Sequence, residues 1–249
     1  MIGKTISKIK IGSEEGLNEL YLTFDIDWAH DEIITDTIEL VEAHESSATW
    51  FITHKTTLLE RLRSNIDFEL GIHPNFNFLL DGDNRAGKDA AEVVDRLLAF
   101  LPEAKCVRSH SLTQSSKLSE LFRFKGLTHE CNTLIPAISE ITLKPWTSFC
   151  GLTRVPYFWE DDVHILYESI GIPQQNIVEL ATTEKKKRGG GLKVFDFHPI
   201  HVFLNTESLD RYERTRPLHH NPKELIKHRY EGYGTRNRLI ELLELSKKI

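Results

Sequence analysis

The chain has 249 residues, 40% hydrophobic and 27% charged, a balance that supports a globular body with a large core and points to one domain spanning residues 1–249. Its 37 acidic and 31 basic residues are mixed along the sequence and leave a formal charge of -6, so there is no basic footprint for nucleic acid. Residues 1–10 lack the continuous apolar stretch of a secretory leader, and no apolar run reaches the roughly 20 residues of a membrane-spanning helix. A cytoplasmic protein with no membrane span is therefore expected. Cys106, Cys131 and Cys150 are odd in number and widely spaced, which fits structural thiols in a reducing compartment better than a disulfide framework or a cysteine-held zinc.

Strand-like runs occupy residues 19–27, 48–53, 67–73, 105–109 and 192–198, and each ends on a polar or ionisable side chain. Residues 31–44, 86–101 and 118–122 carry apolar side chains at helical period, the spacing of repeated βα units. This order predicts an α/β chain with a parallel sheet or barrel, without internal repeats or a long linker. Folds of this kind place their chemistry at the carboxyl ends of the strands. Residues 185–191, a run of three lysines, an arginine and three glycines, read as a solvated loop. Residues 236–248 read as a helix packed on the body.

Four strand ends carry chemistry. Asp25 and Asp27 lie two apart in a strand and so face one side, where their mutual repulsion calls for a cation or a proton-accepting role; an exposed strand end is the plainer alternative. His73 ends the third run and is followed by Pro74, so a helical turn there would stack Asn77 one turn beyond it; imidazole is a good ligand for zinc-like ions and an Asn carbonyl a weaker one. Alone, His73 serves equally well as a strand-end histidine. Asp196 and His198 share a side of the last run, and His198 can deliver a proton to a leaving group. His201 reads as a loop histidine. Arg108 can hold a carboxylate ionised, while Tyr157 and Trp159 offer flat faces of the kind that stack on sugar rings; core packing and a structural ion pair are the plainer alternatives for these three.

Taken in order, these segments resemble the polysaccharide deacetylases that share the NodB homology region. Thr23-Phe24-Asp25-Ile26-Asp27 looks like the first motif of that family, and residues 48–53 resemble its second strand. Gly71-Ile72-His73 resembles the start of its second motif, and Arg108 stands where its third-motif arginine is expected. Trp159-Glu160-Asp161-Asp162 and the strand ending in His198 resemble the last two motifs, so the similarity runs from about residue 22 to residue 205. The resemblance implies a distorted (β/α) barrel with fewer than eight regular strands. It also implies a divalent metal, usually zinc, held by an aspartate and two histidines. Here the aspartate is Asp27 and the first histidine His73, while the position of the second is occupied by Asn77. Either the Asn77 carbonyl binds, or His110 completes the set, or metal affinity is weak. Ile26 between the two aspartates is a further departure from the commonest form.

The resemblance implies an N-deacetylase in which Asp25 takes the proton of the attacking water, His198 protonates the leaving amine and Arg108 orients Asp25. Asp161, Asp162 or Asp196 would set the His198 ring, and His110 and Trp159 are expected on the substrate side. The expected partner is an acetylated carbohydrate or sugar precursor. A hydrolase of another amide or C–N bond, or a non-catalytic carbohydrate-binding relative, would share the same fold. The oligomeric state is not legible in the sequence.

Overall fold

Alternation in the first strand separates two cores. In β1 (Leu20–Asp25), Tyr21, Thr23 and Asp25 point to one side, while Leu22 and Phe24 point to the other and join the cluster that packs beneath the helices. The computed structural model that shows this describes residues 4–14, 16–17, 19–182 and 191–248; the basic run expected as a loop lies, at 185–190, outside the described residues. The remaining strands are β2 (Ala48–Ile52), β3 (Phe68–Ile72), β4 (Cys106–Val107), β5 (His129–Glu130), β6 (Trp146–Thr147), β7 (Thr153–Arg154), β8 (Trp159–Glu160) and β9 (Lys193–Phe197). They form one sheet in the order β6-β7-β5-β4-β3-β2-β1-β9-β8, parallel throughout except between β6 and β7. Only β1, β2, β3 and β9 exceed two residues, so this is an α/β fold with few regular strands.

The sheet is curled like part of a barrel. β4 and β9 are separated by three strands, and at ~4.8 Å per step a flat sheet would hold them about 19 Å apart. Yet Arg108, one residue beyond β4, forms an ion pair with Asp196 of β9. The concave side therefore closes on itself. From the amino-terminal end upward it is filled by Ile6 and Ile9, then Tyr21, Phe51, Cys106 and Val194, and finally by polar residues. The Ile6 amide donates to Thr49 Oγ1 at 3.1 Å, which fixes the N-terminal plug. Gly71 is required here, since a Cβ would lie 2.7 Å from Cys106 Sγ and 2.8 Å from the Phe51 ring.

Helices cover the convex side. Residues Asp31–Ala43 bury Ile33, Ile34, Ile38 and Val41 at helical spacing, each contributing ~1.5–3 kcal/mol of apolar transfer. The predicted helix at 86–101 is shorter, Ala90–Leu98, because the Asp89 side chain caps it by accepting from the Glu92 amide. The one at 118–122 is longer, Ser116–Phe124, capped by Ser115. The C-terminal helix, Thr235–Lys248, packs Leu239, Leu242 and Leu243 into the core. Among the described residues no helix is long and apolar enough to cross a membrane.

Candidate active site

At the carboxyl ends of the strands the concave side carries a stack of ionisable groups. The lowest is Arg108, fully buried, its guanidinium lying between the Phe51 and Tyr157 rings at 4.5 and 4.4 Å. Its Nη1 donates to Asp25 Oδ1 at 2.9 Å, to Thr23 Oγ1 at 3.0 Å, and to Asp196. One cation thus serves two buried carboxyl groups. Burial holds Asp196 well above the ordinary carboxylate range even beside Arg108, and Asp25 adds to the same effect.

Above Asp25 stand Asp27, His73 and His110. β1 ends at Asp25, so Asp27 is not its alternating strand neighbour; it sits in the turn that follows, at φ 36°. The two carboxylates are brought together by His73, whose Nδ1 is 3.5 Å from Asp25 Oδ2 and whose Nε2 is 3.2 Å from Asp27 Oδ1. His110 approaches the same oxygen, with Nδ1 3.3 Å away. Asp27 Oδ1 is buried, and among the described residues it makes no hydrogen bond of good geometry, the two imidazole nitrogens being near it as charge partners. Burial works against charge on Asp27, but His110, His73 and His198 hold its pKa well below the ordinary range. Burial likewise opposes charge on His110, and Asp27 nevertheless raises its pKa.

Asn77 takes no part in this convergence. The helix that contains it, Asn77–Leu80, begins at that residue with Phe76 as its N-cap, and residues 73–76 before it are not helical; Asn75 Oδ1 accepts from the Asn77 backbone amide at 2.9 Å. His73 and Asn77 are therefore not one helical turn apart as the sequence suggests. The Asn77 amide donates to Ser111 Oγ at 3.0 Å, and its carbonyl oxygen accepts from Thr113 at 3.4 Å.

His198 completes the group from the opposite wall. It is the N-cap of the helix Pro199–Leu204, where Pro199 ends the strand. Its Nδ1 is 2.7 Å from Asp161 Oδ1, and its own amide donates to Asp161 Oδ2 at 2.8 Å. Of the three carboxylates considered from sequence, Asp161 is thus the one that orients the ring. Nε2 faces Asp27 Oδ2 at 3.7 Å and Asp162 Oδ2 at 3.9 Å. Burial alone would depress its pKa, but Asp161, Asp162 and Asp27 raise it well above that of a free imidazole. His201 is buried rather than a loop residue, with Nε2 2.5 Å from Asp162 Oδ1 and Nδ1 3.0 Å from Thr206 Oγ1.

The aromatic expectations need correction. Trp159 is 4% exposed and packs against Phe197 at 4.8 Å, His164 at 5.4 Å and Phe195 at 6.0 Å, so core rings surround it where a sugar was expected. Its place in β8, next to β9 on the helix-covered side, dictates that burial. Tyr157 is also buried, with its hydroxyl donating to Glu160 at 2.6 Å. The aromatic beside the acidic and imidazole groups is Trp28, whose ring stands perpendicular to that of His110 at 5.1 Å. Its position directly after Asp27 was the available signal.

The donor set fits a divalent cation. Asp27, His73 and His110 each place a ligand atom within 4.8 Å of the others, an orphaned buried carboxylate oxygen lies between two imidazoles, and two imidazoles with a carboxylate suit zinc. A family model described as WbmS-like polysaccharide deacetylase matches residues 22–216. A solved structure from Bordetella bronchiseptica, described as a polysaccharide deacetylase involved in O-antigen biosynthesis, shares 44% identity with a TM-score of 0.87, covering 98% of this chain and 97% of that one. A structure from Mycobacterium smegmatis described as a polysaccharide deacetylase shares 14% identity over 96% of this chain and 94% of that one, with a TM-score of 0.49. A 4-alpha-glucanotransferase from Thermococcus litoralis shares 13% identity over 73% of this chain and 33% of that one, with a TM-score of 0.46. No curated protein sequence matches the chain.

Proposed function

Since the chain belongs to the WbmS-like family of polysaccharide deacetylases, we propose that it hydrolyses the N-acetyl amide of an amino sugar in a surface polysaccharide or its precursor, using a divalent ion, zinc by donor preference, held by Asp27, His73 and His110. The observation that carries this reading is the convergence of His73 Nε2 and His110 Nδ1 on one buried oxygen of Asp27, at 3.2 and 3.3 Å. When bound, the ion would polarise the amide carbonyl and make a water molecule more acidic. The rest of the chemistry belongs to the chain. Asp25, fixed by Arg108, accepts the proton of the attacking water. His198, positively charged and oriented by Asp161, gives its Nε2 proton to the leaving nitrogen as the C–N bond breaks. Acetate and a free amino sugar result, and a second proton transfer returns Asp25 and His198 to their starting states.

In this reading residues 1–249 act as one catalytic domain and His110 is a ligand in place of Asn77, which supports the loop through Ser111 and Thr113. The Bordetella relative's part in O-antigen biosynthesis supports a surface-polysaccharide substrate. The three free cysteines support a reducing cytoplasm, where the substrate would be a sugar precursor. The test is release of acetate and of an equal amount of free amine from N-acetylated saccharides by zinc-loaded protein. Equimolar release is expected. Release of neither product from a panel of N-acetylated amino sugars would sink the reading.

A further inference from the structure

We propose that the indole of Trp28 is the platform on which the pyranose ring bearing the acetylated nitrogen stacks; this rests on the deacetylase reading above. The first observation is backbone conformation. Ile26 and Ala29 close a turn, with the Ala29 amide donating to the Ile26 carbonyl at 2.8 Å, and its two central residues, Asp27 and Trp28, have φ of 36° and 56°. Turns with positive φ at both central positions favour Asn or Asp followed by Gly, because a Cβ crowds the backbone there. Asp27 obeys that rule and Trp28 breaks it: the largest side chain stands where glycine would be free of strain. The Trp28 amide donates to Thr53 Oγ1 at 3.1 Å, which holds the turn in place.

The second observation is the surroundings of the ring. Trp28 is 38% exposed and belongs to neither apolar core cluster, whereas Trp50 and Trp159 are buried in one. Its one ring neighbour among the described residues is the His110 imidazole. Beyond His110, Ser111 and Leu112 also have positive φ, 54° and 52°, so left-handed backbone occurs both in the turn that carries Asp27 and Trp28 and in the segment just after His110. Strain of this kind persists where the surrounding structure over-determines it, and it clusters at ligand-contacting sites. A wide apolar face kept half in water at the rim of the Asp27–His73–His110 group has little to contribute to the core. It suits the C–H face of a sugar whose acetamido carbonyl reaches that group.

The test uses full-length zinc-loaded protein, with Trp28→Gly to remove the ring while relaxing the turn and Trp28→Phe to retain a flat ring. N-acetylglucosamine oligomers serve as probe. For Trp28→Gly, KM should rise about tenfold, equivalent to ~1.4 kcal/mol, and more than kcat falls, with metal content as in wild type. Trp28→Phe should recover most of the loss. Binding of the oligomer should change the tryptophan emission of wild type and not that of Trp28→Phe. Active wild type with an unchanged KM in Trp28→Gly, or with Trp28→Phe as poor as Trp28→Gly, overturns the platform alone. Wild type that binds zinc but deacetylates no amino sugar overturns the deacetylase reading, and the platform with it.

Discussion

His110 Nδ1 lies 3.3 Å from Asp27 Oδ1, on the oxygen that His73 Nε2 approaches from the other side. The pairing joins the turn after β1 to the segment after β4, and it shows how a second imidazole reaches a site whose sequence offers asparagine at the expected spacing. Metal content separates the two candidates. Purified wild type, freed of adventitious ions, should hold about one divalent ion per chain by mass spectrometry. Asp27→Ala, His73→Ala and His110→Ala should lose it, and Asn77→Ala should keep it. Loss in Asn77→Ala with retention in His110→Ala would reverse the assignment.

Asp25→Asn keeps the shape of the side chain and removes the proton acceptor. Its kcat should fall about 10²- to 10⁴-fold, the range for a positioned general base, while bound metal stays at the wild-type level because Asp25 lies below the ligand group. The check is acetate release measured beside metal content on one preparation. Wild-type turnover in this variant would remove Asp25 from the mechanism.

Arg108 is the cation for two buried carboxyl groups, so Arg108→Met leaves Asp25 and Asp196 facing each other in an apolar surround. Breaking a buried pair from one side costs about 3–5 kcal/mol. Urea unfolding should show a loss of that order, and adding Asp196→Asn should recover part of it. A variant as stable as wild type would mean that the guanidinium contributes nothing net to the fold.

His164 gives a stability effect with a defined sign. Burial pushes its pKa down to about 4, with Arg238 acting in the same direction. The folded state therefore binds fewer protons than the unfolded chain between pH 6.5 and 4, and stability is lost as pH falls through that window. Between pH 7 and 4.5, wild type should lose on the order of 2 kcal/mol more than His164→Gln in matched urea titrations. Parallel losses in the two proteins would show that His164 titrates normally.

Sequence alone placed His73 and His198 at strand ends, because the apolar run and the proline after each histidine are local properties that need no partner to be read, whereas it ran the first strand through Asp27 and the structure ends it at Asp25. It also gave the parallel α/β order, since apolar period changes between 2 and 3.6 within each βα unit. The tertiary structure decided the rest. Arg108 meets Asp196 only because the sheet curls, and on its concave side Phe51 and Cys106 leave no room for a Cβ at Gly71. Trp159 reads in the sequence as a sugar platform, but its ring packs against Phe195 and Phe197, while Trp28 is placed beside His110 by a left-handed turn that spacing does not encode. The choice of Asp161 over Asp162 and Asp196 as partner of His198, and of His110 over Asn77 beside Asp27, likewise rests on distances between segments far apart in the chain. Periodicity reports which face a side chain occupies, and packing alone reports which side chain it meets there.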